Sequence, residues 1–99
     1  VLNNDGEWVT AHPIEGTIVV NVGDLLMRWT NNAFKSTPHR VVNRKGVERY
    51  SMVVAWDPDY DTVVDPSLVC QNGEKVLYPP VRCGDYVLSR FDSSFSYRQ

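Results

Sequence analysis

A short turn between two candidate strands constrains the fold of this chain more than any other feature. The sequence NRKG, residues 43–46, lies between residues 35–43 and residues 47–56, and each of these segments contains a Val-Val pair, at 41–42 and at 53–54. Gly46 suits the left-handed position that ends a three-residue hairpin loop. The pattern therefore predicts an antiparallel hairpin with residues 35–43 and 47–56 as its two strands.

Further turn residues divide the N-terminal part of the chain in the same way. The sequence NDG at residues 4–6 predicts a tight turn, and residues 7–10 follow it as a short strand. A second turn is predicted at residues 13–16, between Pro13 and Gly16. Residues 17–22 (TIVVNV) are mostly β-branched, which predicts a buried strand.

Two helical segments are predicted. Residues 25–29 form one helical turn, for which Asp24 is the candidate cap. In residues 84–95, the spacing of apolar and aromatic side chains fits one face of a helix. Several short strands with one terminal helix are typical of a mainly β chain, either a β-sandwich or a jelly roll.

Composition limits the classes of partner. The net charge of -2 and pI of about 5.5 do not favour a nucleic-acid partner, and no apolar run is long enough to span a membrane. Cys70 and Cys83 are interpreted as reduced thiols of a cytoplasmic protein, although a single disulfide stays open. The three tryptophans are interpreted as packing anchors. Because the chain begins at Val1 without an initiator methionine, we expect it to be part of a longer protein.

The predicted hairpin carries the residues with the clearest chemical use. Its register pairs Val41 with Arg49 and His39 with Ser51, so His39 and Arg49 share one face as diagonal neighbours, with backbones about 7–8 Å apart. A neutral imidazole can bind a metal, and a guanidinium can bind a carboxylate through two hydrogen bonds. The Ser51 hydroxyl adds a further hydrogen bond. A short dicarboxylate could therefore bridge a metal at His39 and the side chain of Arg49.

An ordered series of short motifs surrounds these residues. His-Arg-Val at 39–41 precedes Arg49-x-Ser51, and the flanking motifs are VNVGDL at 20–25, TNN at 30–32, VDP at 64–66, YPP at 78–80 and GDY at 84–86. The series resembles the isopenicillin N synthase-like family of Fe(II)/2-oxoglutarate-dependent oxygenases. The resemblance covers nearly the whole chain and corresponds to the C-terminal part of the family's catalytic domain.

The resemblance implies a fold and an activity. Residues 1–99 would be the C-terminal half of a double-stranded β-helix, or jelly roll, followed by a C-terminal helix. His39 would be the distal histidine of a two-histidine, one-carboxylate Fe(II) site, and Arg49 and Ser51 would bind the distal carboxylate of 2-oxoglutarate. The parent would be a monomeric cytoplasmic dioxygenase that oxidises a small organic substrate, with ascorbate as a possible reductant.

One departure from the family pattern limits what this chain does alone. The family's other two iron ligands form a His-x-Asp pair, whereas His12, the second histidine here, is followed by Pro13 and Ile14. We expect that pair upstream, so His12 is taken as an exposed loop residue and the 99-residue chain as inactive. Its open sheet edge predicts poor solubility or self-association, which a monomeric, cooperatively melting product would contradict. The alternative function is a non-catalytic jelly-roll module that binds a small molecule and has lost the iron site.

Overall fold

The computed structural model describes residues 1–95, and most of its regular structure lies in the C-terminal half. In chain order the elements are helix α1 (Asp24–Trp29), strand β1 (Val63–Val64), a 3-10 helix (Pro66–Leu68), strand β2 (Val81–Arg82) and helix α2 (Cys83–Ser94). The two strands form an antiparallel pair, with Val63 opposite Arg82 and Val64 opposite Val81. The fold is thus a small antiparallel sheet with helices beside it.

The terminal helix confirms the prediction from the spacing of apolar residues. Helix α2 begins directly after Arg82, which is in extended conformation, and Asp85 lies in its first turn. A carboxylate near a helix N-terminus interacts favourably with the helix dipole. Arg82 Nε donates to Asp85 Oδ2 at 2.9 Å, and this hydrogen bond holds the pKa of the Asp85 carboxyl below its usual value.

Helix α1 also lies where it was predicted, but the suggested cap is wrong. The cap position belongs to Gly23, and Asp24 is the first residue of the helix. The Asp24 carboxylate instead accepts a hydrogen bond from Arg90 Nη2 at 2.8 Å. This ion pair joins α1 to α2.

The buried core is small and is centred on the sheet. Val64 is fully buried, Cys83 is 2% exposed, and Pro66 is enclosed beside them. Cys70 and Cys83 are both free thiols, as predicted. Burial raises the pKa of each thiol, which favours the protonated form.

Arg28 in α1 and Asn31, just beyond that helix, both bind the segment before β2. Arg28 Nη2 donates to the carbonyl oxygen of Pro79 at 2.7 Å, and its guanidinium lies over the rings of Tyr78 and Tyr86. Asn31 is 7% exposed and its Oδ1 accepts from the backbone N–H of Leu77 at 2.8 Å. These contacts order the C-terminal half without a large apolar core.

In this structure, no strand forms at residues 17–22, 35–43 or 47–56, where the sequence predicts strands. None of these segments forms a ladder with another part of residues 1–95. Residues 17–22, which were predicted to be buried, are instead exposed, with Val20 at 83%. Trp56 is 94% exposed and is therefore not a packing anchor here. A two-stranded hairpin is marginal in water unless a third strand or a helix covers its apolar face.

The total surface area shows how much of the chain is uncovered. The accessible area is 8671 Å², whereas a compact protein of 11.3 kDa exposes about 5,700 Å². The radius of gyration is 16.6 Å, against about 13 Å for a compact domain of 100 residues. The described chain therefore does not close around one core. No helix within residues 1–95 is long and apolar enough to cross a membrane.

The predicted turns are present even where the strands are not. Gly6, Gly16 and Gly46 all adopt left-handed backbone conformations, with φ of 79°, 73° and 62°. Around the first turn, Leu2 and Trp8 form an isolated antiparallel bridge. This bridge is all that forms of the strand predicted at residues 7–10. Residues 1–9 are called the N-terminal hairpin below.

Replacing Gly84 by alanine is expected to destabilise the protein by about 1–3 kcal/mol, because an added Cβ would overlap the Tyr60 ring. Alanine favours a helix over glycine by about 0.8–1 kcal/mol, so a net loss of stability would have to come from the overlap with the Tyr60 ring. Urea denaturation of the full-length parent measures the change. The control is Gly23→Ala, where a Cβ meets no atom within 4 Å and the expected change is below about 1 kcal/mol. Equal losses in the two variants would contradict the prediction.

Candidate functional site

Two of the three predicted site residues line one cavity. His39 and Arg49 both border a hollow of about 710 Å³, which lies between the N-terminal hairpin and the turn at residues 43–46. This volume lies within the range of about 300–1,000 Å³ that is usual for small-molecule sites. The apolar part of its lining is formed by Val1, Trp8, Ala11, Val19, Val41, Val42 and Val47.

The His39 ring is held in one orientation by its own chain. Its Nδ1 lies 3.0 Å from the carbonyl oxygen of Thr37. In the neutral ring this contact requires the proton on Nδ1, which then donates to the carbonyl and leaves the lone pair on Nε2 free. Metal-binding histidines commonly use this arrangement, in which one nitrogen donates to a carbonyl while the other binds the metal.

His39 is accessible from a second side. The side chain is exposed, and it also borders a smaller hollow of about 460 Å³. That hollow is lined by residues 21–24 and 36–39. His39 thus borders two open spaces, which leaves room beside this residue for further ligands of a metal.

Basic residues form a large part of the polar lining of the larger cavity. The basic residues of this lining, called the basic wall below, are Arg40, Arg44, Lys45 and Arg49. The acidic residue of the same lining is Glu48. Its carboxylate accepts a hydrogen bond from the Tyr50 hydroxyl, which raises the pKa of that tyrosine. The sign of this wall suits a carboxylate ligand better than a cation.

The structure does not bring Ser51 to the cavity. Ser51 is exposed and lies outside the lining, so its pairing with Arg49 stays a prediction. The turn that would align them is partly formed, because Asn43 Nδ2 donates to the carbonyl oxygen of Val47 at 2.7 Å. His12 is exposed and lies outside any helix or strand, as predicted.

The described residues can supply one ligand of the kind that an iron site uses. Within residues 1–95, no group of three His, Cys, Asp or Glu side chains is placed to hold a metal ion. His39 offers one nitrogen of the type that Fe(II) accepts, because the contact of Nδ1 with the Thr37 carbonyl leaves Nε2 available in the neutral ring. The described residues are therefore suited to contribute one ligand to such a site.

Contacts next to His39 were not predicted from the sequence. The guanidinium of Arg40 lies 3.9 Å from the centroid of the Trp8 ring, and Leu2 N donates to the carbonyl oxygen of Pro38 at 2.9 Å. The sequence predicts Trp8 only as a packing anchor. Trp8 and Arg40 are 32 residues apart, and Leu2 and Pro38 are 36 apart. Such separations follow no strand or helix period, so spacing carries no signal for these contacts.

Comparison with known proteins gives one consistent result. The sequence model of the 2OG-Fe(II) oxygenase superfamily matches residues 1–58, a range that includes His39, Arg49 and Ser51. The chain is 42% identical over 96 residues to the 2-oxoglutarate-Fe(II) type oxidoreductase ppzC of Metarhizium rileyi, covering 96% of this chain and 26% of the relative. No solved structure matches the chain.

Two further relatives extend the comparison. The 2-oxoglutarate-Fe(II) type oxidoreductase hxnY of Emericella nidulans is 39% identical over 92 residues, covering 91% of this chain and 26% of the relative. Homoarginine-6-hydroxylase 2-ODD-233 of Oryza sativa subsp. japonica is 35% identical over 97 residues, covering 96% of this chain and 30% of the relative. The chain thus spans between about a quarter and a third of the length of these relatives.

Proposed function

Because this chain belongs to the 2OG-Fe(II) oxygenase superfamily, we propose that it supplies one iron ligand and the 2-oxoglutarate-binding residues of an oxidoreductase. In the full-length parent, decarboxylation of 2-oxoglutarate and consumption of O2 are coupled to oxidation of a small organic substrate. His39 is the iron ligand, and Arg49 with Ser51 binds 2-oxoglutarate. When bound, the iron supplies the oxygen chemistry, while the protein supplies position and electrostatics.

The observation that carries this proposal is the environment of His39. The hydrogen bond to the Thr37 carbonyl presents Nε2 as the free nitrogen, and the same ring borders the cavity that Arg49 lines. The ring therefore has one nitrogen engaged by its own chain and one nitrogen left for a ligand. The family membership gives that nitrogen a specific use as an Fe(II) ligand.

Arg49 supplies the second half of the argument. A ligand with two acidic ends can meet a metal at His39 with one end and the guanidinium of Arg49 with the other, because both residues border one space. Arginine suits the distal carboxylate, since its planar guanidinium can donate two parallel hydrogen bonds. Ser51 joins this contact once residues 35–43 and 47–56 pair as strands, in the register that places Ser51 opposite His39.

The proposal includes a fold and a setting for the parent. Residues 1–99 form the C-terminal half of a jelly roll with a C-terminal helix, and the exposed apolar faces of residues 17–22 and 47–56 support such a sheet. The substrate is a small molecule, and the parent is a cytoplasmic monomer. Free thiols at Cys70 and Cys83 agree with a reducing compartment.

The direct test is turnover of 2-oxoglutarate by the full-length parent. With Fe(II), ascorbate and O2 but no substrate, we expect slow formation of succinate that stops when a chelator removes the metal. Succinate is measured by mass spectrometry. Absence of turnover together with absence of Fe(II) binding would overturn the proposal and favour the non-catalytic binding module.

A further inference from the structure

We propose that the N-terminal hairpin positions His39 by holding the residues on both sides of it. Pro38 is held through its carbonyl oxygen, which accepts a hydrogen bond from Leu2 N at 2.9 Å. Arg40 is held through its guanidinium, which lies 3.9 Å from the centroid of the Trp8 ring. This inference rests on the proposed function, because it gives Leu2 and Trp8 a role in orienting an Fe(II) ligand.

Hydrogen bonds within the N-terminal hairpin hold its two arms together, so it can restrain the residues that it contacts. Asn3 Oδ1 accepts hydrogen bonds from the backbone N–H groups of Asp5, at 3.0 Å, and Glu7, at 2.8 Å. Val9 N donates to the carbonyl oxygen of Val1 at 2.8 Å, which closes the open end of the hairpin. Leu2 and Trp8 are therefore fixed relative to each other by bonds on both sides of the turn.

The contacts restrain His39 from three directions. The ring of Pro38 fixes its own φ angle, and the hydrogen bond from Leu2 fixes the orientation of the peptide group between Pro38 and His39. On the other side, stacking on Trp8 limits the movement of Arg40. The Thr37 carbonyl then sets the rotation of the His39 ring. A metal ligand works well only when such supporting contacts hold it close to the productive geometry.

The stacking pair has the features of a positioning contact rather than of a core contact. Trp8 is 47% exposed, and Arg40 is exposed as well, so the pair buries little apolar surface. Its loss should leave the stability of the parent almost unchanged. The effect should appear instead at His39, which is adjacent to Arg40 in the chain.

Metal titration of the full-length parent tests this role without relying on turnover. Co(II) is the probe, because its visible absorption reports the number and geometry of its ligands. We expect Trp8→Leu and Arg40→Met each to weaken Co(II) binding about 10-fold, as loss of supporting contacts around metal ligands commonly does. The double variant should be little weaker than either single variant, because both remove one shared contact. Trp8→Phe and Arg40→Lys should recover most of the affinity.

The matched control is Arg44→Met, which removes a cation from the same basic wall but not from the face of Trp8. We expect its Co(II) affinity to stay within about twofold of the parent, since no supporting contact around His39 is lost. If Arg40→Met behaves like Arg44→Met, the hairpin has no positioning role. Arg40 is exposed, so this comparison decides the question even if Trp8→Leu does not fold. Unchanged Co(II) binding in His39→Ala would instead overturn the proposed function itself.

Discussion

Replacing His39 by alanine in the full-length parent is expected to weaken Fe(II) binding by more than about 100-fold and to stop succinate formation. Loss of a supporting contact costs about 10–100-fold in metal affinity, and loss of a ligand should cost more. Isothermal titration with Fe(II) under anaerobic conditions measures the affinity. Since the His39 side chain is exposed and its hydrogen bond is to a neighbouring carbonyl, the variant should fold normally.

His12→Ala is the matched control for that experiment. It removes the second histidine of the chain, which is exposed and lies outside both hollows. Its Fe(II) affinity and succinate formation should equal those of the parent. Equal losses in the two variants would mean that His39 has no special relation to the metal.

Replacing Arg49 by alanine is expected to raise the KM for 2-oxoglutarate by about 30-fold or more, which corresponds to about 2 kcal/mol. The reason is that the distal carboxylate of the ligand loses its guanidinium partner. Arg49→Lys should fall between the parent and the alanine variant, because it keeps the charge but loses the two parallel hydrogen bonds. Initial rates of succinate formation at varied 2-oxoglutarate concentrations give the KM.

A charge control separates this contact from the general effect of lost positive charge. Lys75→Ala removes one cation from an exposed position that does not border the cavity. Its KM should match that of the parent. If Fe(II) affinity is retained in Arg49→Ala and the KM is also unchanged, then 2-oxoglutarate binds elsewhere.

Local features of the structure were predictable from the sequence. Left-handed glycines at turns depend on residues next to one another, and Gly6, Gly16 and Gly46 are all found in that conformation. The terminal helix depends on apolar spacing within one segment, and it was predicted to within about one residue of its observed bounds, Cys83–Ser94. His39 and Arg49 border one cavity although the strands predicted to align them do not form.

Features that depend on distant partners were predicted poorly. A strand exists only when another segment supplies its hydrogen bonds, and residues 35–43 and 47–56 find no such ladder within residues 1–95. The stacking of Arg28 on Tyr78 and of Arg40 on Trp8 joins residues far apart in the chain. Such pairs have no fixed sequence separation, so no periodicity reveals them.

The large exposed surface of this chain also determines how its stability should vary with temperature. The heat-capacity increment of unfolding scales with the apolar surface that becomes hydrated, and it is about 1.2–1.5 kcal/mol/K for a compact domain of 100 residues. Here Ile18, Met52 and Val53 are already 86%, 91% and 88% exposed before unfolding. Unfolding the isolated chain would therefore change the heat capacity by much less. Its free energy of unfolding would follow a shallow, nearly straight line with temperature instead of a pronounced dome.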